Sequence, residues 1–200
     1  MRITNRSGII CAFIGALLSS AIYAAPEEFT IDPAHTYVTF EVRHLGISTQ
    51  RGRFNQASGR AVFDADSDAG SLEIKIDARS IDTGNEAMEK LLRGDDFFNV
   101  EKFPEIIFRS KSVSYVQGKP DKIEGELTLL GVTKPITVSV LSYNCTRLPF
   151  LVRLTCGMDA TTTIRRSEFG MTSLLAFVSD DVKLLIQAEA FRREAPPPSE

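Results

Sequence analysis

The chain has 200 residues, 43% of them hydrophobic and 24% charged, with 23 basic against 26 acidic side chains. That length suits one domain with a real core, and the mildly acidic balance offers nothing to nucleic acid. Beyond the first 25 residues no stretch is apolar enough for long enough to cross a bilayer.

Those 25 residues read as a secretory signal: Arg2 and Arg6, an apolar run from Gly8 to Leu18, then small residues to Ala24 and Ala25. The run falls short of the roughly 18–20 residues of a spanning helix. Cys11 lies inside it behind Ile9 and Ile10, not the small residues that lipoprotein processing prefers. Cleavage near Ala24 or Ala25 leaves 21 basic against 26 acidic residues, a balance of −5, and places the mature chain in the periplasm or outside the cell.

Tyr37 to His44 alternates as a half-buried strand, with Val38, Phe40 and Val42 on one face and Thr39, Glu41 and Arg43 on the other. Ile47 to Arg51, between Gly46 and Gly52, reads as a polar turn toward a strand near Phe54, and Gly59 to Asp64 as a further strand. Leu72, Ile74, Ile76 and Ala78 alternate with charged neighbours. The period then changes: Thr83-Gly84-Asn85-Glu86 has capping-box spacing, Ala87/Leu91 and Met88/Leu92 are i, i+4 pairs, and Gly94 is a stop. This predicts a helix of two to three turns lying against a sheet.

Strands resume at Glu105 to Tyr115, followed by a turn at Gly118 to Asp121. Ile123 to Val140 is a hairpin whose register can be solved by placing the turn at Gly131 to Lys134. Leu129 then faces Ile136, Leu127 faces Val138 and Gly125 faces Val140 on a dry side, with Glu126 opposite Ser139 and Thr128 opposite Thr137 on a wet one. Val138 continues to Asn144. Met158, Ala160, Thr162 and Ile164 share a face of the next strand, Arg165 to Met171 is a break, and Val182, Leu184, Ile186 and Ala188 point inward from the last. The tail from Arg192, ending in Pro196-Pro197-Pro198, has no apolar face and should be disordered.

With Cys11 removed, Cys145 and Cys156 are the remaining thiols, in a compartment that permits disulfides. A hairpin turning at Phe150-Leu151 sets them directly opposite one another, within bridging distance. Free or metal-binding thiols are the alternative, and two thiols with no nearby histidine make a poor zinc site.

The count is about eight mostly antiparallel strands with one short helix, which a sandwich and a closed barrel both satisfy. Charged outer faces and the lack of a protected edge favour an eight-stranded antiparallel β-barrel, whose interior is filled by side chains or holds one small ligand. The expected organisation is a signal at residues 1–25, a barrel domain at 26–191 and a tail at 192–200.

A series of short motifs supports this. They are Asp32 to His35 before Val38-Thr39-Phe40; His44-Leu45-Gly46; Gly52-x-Phe54; Ser80-Ile81-Asp82-Thr83; Asp96-Phe97-Phe98; Phe103-Pro104; Gly125 to Pro135; and Arg166-Ser167-Glu168-Phe169-Gly170. In this order, from about Phe29 to Phe191, they resemble the YceI-like family. The resemblance implies a secreted lipocalin-like barrel that binds polyisoprenoids or other long amphiphiles. The family's helix often carries an Arg-Asp pair and then a histidine, where this chain has Met88, Glu89 and Leu91, so polar groups near one end of a pocket are fewer. The cysteine pair is outside the family pattern.

Catalysis has little to work with. His35 and His44 are the only histidines. His44 shares the parity of the inward face and could serve as a base near a rim, but a histidine satisfied by a carbonyl or carboxylate is the simpler reading. Opposite parity argues against His35 and His44 sharing a metal. Asp95-Asp96 reads as a loop pair, too poor in ligands for calcium. Arg165-Arg166 reads most simply as a solvated turn, with a rim cation near an anionic head group as the alternative. No metal and no organic cofactor are expected.

The favoured function is a carrier of one isoprenoid or acyl lipid. A lipid-modifying enzyme using His44 and a filled barrel without ligand are the competing readings, and monomer and homodimer stay open. Parity puts Val38, Phe40, Val42, Leu72, Ile74, Ile76, Phe108, Leu127, Leu129, Val138, Met158, Leu184 and Ile186 on the binding wall. Phe169 joins them through the family motif, and His44 and Arg166 are candidate polar groups at the rim.

Overall fold

The computed structural model describes residues 27–64, 69–147 and 153–193. The expected signal, the Phe150-Leu151 turn and the proline-rich end of the tail lie outside them. The elements are β1 (Glu27–Ile31), β2 (Tyr37–His44), β3 (Ser48–Phe54), β4 (Ala57–Asp64), β5 (Ala69–Asp77), β6 (Ile81–Asp82), α1 (Glu86–Arg93), β7 (Glu105–Val116), β8 (Lys119–Leu129), β9 (Val132–Thr146), β10 (Thr155–Arg165) and β11 (Asp181–Arg192).

These eleven segments build eight strands, because β1–β2, β3–β4 and β5–β6 are each one strand with an interruption. Each strand pairs antiparallel with its sequence neighbour. β11 closes the ring, with Ile186 opposite Val38 of β2 and, further along, Phe191 opposite Thr30 of β1. The result is a closed eight-stranded barrel with one helix. Among the described residues each of the eight strands is paired on both sides.

The three interruptions lie side by side at residues 32–36, residues 55–56 and a short 3₁₀ turn at Ala78–Ser80. The second and third satisfy each other's backbones: Asn55 N–H donates to the Ser80 carbonyl (3.1 Å), Asp77 N–H to the Gln56 carbonyl (3.0 Å), and Gln56 N–H to Ser80 Oγ (3.1 Å). These bonds take the place of the ladder that the interruptions break.

Several expectations need correcting. Residues 48–51 are not a turn but the first half of β3, paired residue for residue with β2. The hairpin of β8 and β9 turns on Leu130-Gly131 alone, with Leu129 opposite Val132, Leu127 opposite Lys134 and Ile123 opposite Val138. Both turn residues have positive φ, 52° and 74°, the two-residue geometry that suits glycine at its second position. Gln117-Gly118 makes the same kind of turn between β7 and β8, so Lys119, Pro120 and Asp121 belong to β8. The register of β8 and β9 therefore differs from expectation by four residues. An even slip keeps each side chain on its face, so the inward set survives while every cross-strand partner changes.

Helix α1 also starts later than its sequence suggests. Asn85, not Thr83, is the N-cap and accepts from Met88 N–H at 3.1 Å, while Glu89 reaches back to Thr83 N–H at 3.0 Å. Leu92 packs on the core, but Leu91 is exposed, so half of the expected stripe faces water.

Cys145 and Cys156 lie opposite one another on β9 and β10 and are bridged. Serine at both positions should lower stability by roughly 2–3 kcal/mol, since the bridge closes a loop of about a dozen residues. Urea unfolding of the double variant is the measurement. An unchanged midpoint would mean that the strand pairing alone fixes this end of the barrel.

Candidate functional site

Inward side chains from all eight strands enclose two almost wholly apolar cavities, end to end. The first holds about 130 Å³ and the second about 120 Å³, each with room for roughly four water-sized groups. Val38, Ile76, Leu127 and Leu184 line both and form the waist between them. The first lobe lies toward the disulfide end, where it adds Phe29, Ile31, Val113, Tyr143 and Cys156. The second is closed by α1 and its following loop through Leu92, Phe97 and Phe98.

Of the wall residues expected from parity, Leu72, Ile74, Phe108, Val138, Met158 and Ile186 line the first lobe. Phe40, Val42 and Leu129 line the second, and Val38, Ile76, Leu127 and Leu184 line both. Phe169 lines neither: only 2% exposed, it is packed into the core itself. His44 also lines neither lobe; its backbone pairs with Val178 at the end of the barrel. Glycines let two rings lie flat against the wall. A Cβ on Gly125 would come within 2.6 Å of the Phe108 ring, and one on Gly52 within 2.4 Å of the Phe40 ring.

Bulges hid part of the wall from a parity argument. Lys111 is an extra residue between Ser110 and Ser112, so the inward series changes from Phe108 to Val113. Leu141 does the same on β9, changing the series from Val138 to Tyr143. Tyr143 brings a rare polar atom to the first lobe. Its hydroxyl lies 3.0 Å from Cys145 Sγ, and burial pushes its pKa up.

Arg166 is the largest departure from the sequence reading. It is not a solvated residue: 3% exposed, it lines the second lobe and donates to four backbone carbonyls. Nε reaches Ser179 (2.9 Å), Nη1 reaches Met171 (3.2 Å) and Ser173 (2.7 Å), and Nη2 reaches Val178 (3.1 Å). The guanidinium folds residues 171–179 around itself and roofs the lobe. Burial lowers its pKa, and the nearby Asp180 carboxylate works against that. Asp180 accepts from Ser167 N–H at 2.8 Å and Ser167 Oγ at 2.7 Å and pairs with the exposed Arg165, contacts that hold its own pKa below the usual carboxylate range.

Outside the wall, the chain brings together three groups that sequence distance had kept apart. His35 meets Asp32 as neighbours in a turn, and Glu189 of β11 joins them across the seam. The hydrogen bond to Asp32, with the charges of Asp32 and Glu189, raises the pKa of His35.

A closed eight-stranded up-and-down barrel with an apolar, two-lobed interior defines a lipocalin-like barrel. The chain belongs to the YceI-like family, whose domain matches residues 29–190. A UPF0312 protein of Pseudomonas paraeruginosa is 33% identical over 183 residues, 90% of this chain and 95% of that one. A Campylobacter jejuni YceI protein superposes with a TM-score of 0.64 at 30% identity, covering 76% of this chain and 90% of that one. A polyisoprenoid binding domain from Saccharophagus degradans shares the fold, with a TM-score of 0.62 at 15% identity over 82% of this chain and 98% of that domain. Among the described residues no helix is long and apolar enough to cross a membrane.

Proposed function

We propose that this protein is an exported carrier that holds the hydrocarbon chain of one long apolar or amphiphilic molecule inside the barrel: a polyisoprenoid, an isoprenoid quinone or a fatty acyl chain. The observation that carries this reading is the pair of apolar lobes joined at Val38, Ile76, Leu127 and Leu184. Two apolar lobes that share four wall residues suit a chain rather than a compact solute. Each methylene transferred from water gains about 0.8 kcal/mol, so a chain filling both lobes needs few polar contacts.

The polyisoprenoid binding domain from Saccharophagus degradans supports the ligand class, and family membership favours binding over catalysis. Export rests on the signal-like first 25 residues, and the domain on this reading runs from residue 26 to 191, with the tail beyond it. Mass spectrometry of an organic extract of protein purified from the exported fraction is the test. One lipid species near stoichiometric amount is the expected result. A clean extract from folded protein, together with no uptake of added prenol, quinone or fatty acid, would leave a filled barrel instead.

A further inference from the structure

The turn that interrupts the first strand carries Asp32 and His35 on the outside of the barrel, beside Glu189. Nδ1 of His35 lies 2.8 Å from Oδ2 of Asp32, and one ligating atom from each of the three side chains lies within 4.8 Å of the other two. The backbone sets their places. Asp32 N–H donates to the Glu189 carbonyl at 2.9 Å. Thr36, 1% exposed, donates its hydroxyl to that same carbonyl at 3.3 Å and accepts from Glu189 N–H at 3.2 Å. Oδ1 of Asp32 accepts from Ala34 N–H at 2.9 Å, which leaves Oδ2 for His35. Among the described residues no lysine or arginine pairs with Asp32, and no hydrogen bond or ion pair reaches the Glu189 carboxylate. Two carboxylates thus flank one imidazole with no fixed cation to balance them.

We propose that Asp32, His35 and Glu189 form a binding site for a divalent transition metal ion of the zinc class. Imidazole nitrogen and carboxylate oxygen are both zinc ligands, at roughly 2.0–2.2 Å. A tetrahedral set at that bond length has its ligands about 3.3–3.5 Å apart, so assembly from the present spacing takes roughly an ångström of side-chain adjustment. The His35 side chain, 61% exposed, has room to make it. Calcium and magnesium prefer cages of six or more oxygens and do not use an imidazole, and copper(I) prefers sulfur, which leaves zinc and its neighbours as the match for this donor set. Three protein ligands leave a fourth position for water, so the ion is exchangeable. Bound there, it ties the interrupted first strand to the last one next to the first lobe, which Thr36 and Glu189 both border.

The experiment is equilibrium dialysis of exported, tag-free protein against Zn²⁺ after treatment with a chelator, with circular dichroism to confirm the fold of each variant. One zinc per chain is expected, together with a higher midpoint of thermal unfolding. His35→Ala and Glu189→Gln should each weaken binding by about tenfold or more while remaining folded. Absence of a stoichiometric zinc at micromolar concentration would overturn the site. Binding unchanged in both variants would place the ion elsewhere and overturn it equally, and a preference for Ca²⁺ over Zn²⁺ would overturn the assignment of the metal.

Discussion

Arg166→Ala should cost about 3–5 kcal/mol of folding stability, the largest loss expected from a single substitution in this chain. The side chain closes no conventional salt bridge, since its four partners are the carbonyls of Met171, Ser173, Val178 and Ser179. Removing it leaves those acceptors without a common donor and opens a hole in the roof of the second lobe. Arg166→Lys should recover little, because one ammonium cannot span carbonyls placed around a planar fork. Chemical denaturation of both variants measures this. A wild-type midpoint in Arg166→Ala would show that residues 171–179 hold their shape without the guanidinium.

The second large effect is on ligand, not fold. Leu127 is 5% exposed at the waist and borders both lobes, whereas Val138 borders the first alone. On the carrier function proposed above, Leu127→Lys should abolish lipid co-purification and Val138→Lys should reduce it, because an ammonium placed along the path of a hydrocarbon chain takes either water or an ion partner in with it. The two lobes give the lysine stem somewhere to go, so both variants should fold with a modest drop in melting temperature. Folded variants that carry the same lipid as wild type would remove the waist from the binding site. Variants that unfold would show a core without usable space, where an unpaired buried charge costs several kcal/mol.

How much of this was readable in advance depends on whether the information was local. Inward faces were readable, because alternation along β2, β5, β8 and β11 is a local property and survives even the four-residue slip in the β8–β9 hairpin. Partners across that hairpin were not, because Leu130-Gly131 and a longer turn at Gly131 satisfy the same alternation. The bulges at Lys111 and Leu141 leave no mark in the sequence that separates them from their neighbours, so Val113 and Tyr143 went unassigned to the wall. Thr36 and β1 were missed for another reason: the turn between β1 and β2 breaks the period that identifies a strand.

The candidate site shows the same division. The cysteine pair was readable from its symmetry about a turn, and the bridge joins those two residues. Phe169 entered through a motif and not through a face, and it packs in the core outside both lobes. Arg166 was misread because adjacent arginines near a glycine have the composition of an exposed loop. Its acceptors come from a segment that folds back over it, and convergence of that kind cannot be seen one residue at a time. Glu189 is 153 residues from Thr36, so nothing local links it to Asp32 and His35.

The seam between the first and last strands has a consequence for biogenesis. Thr30 finds one of its two partners in Phe191, and Val38 finds one of its two in Ile186. A chain made amino end first completes β1 and β2 long before β11 exists to meet them. Contacts of such sequence separation form late, after the entropy of closing nearly the whole chain has been overcome. Until β11 is in place, β1 and β2 lack the neighbour that closes the ring, and the seam stays open on that side. On the carrier function proposed above, a lipid can be laid in through that open seam and enclosed by the final strand, with no need to thread through either mouth of the finished barrel.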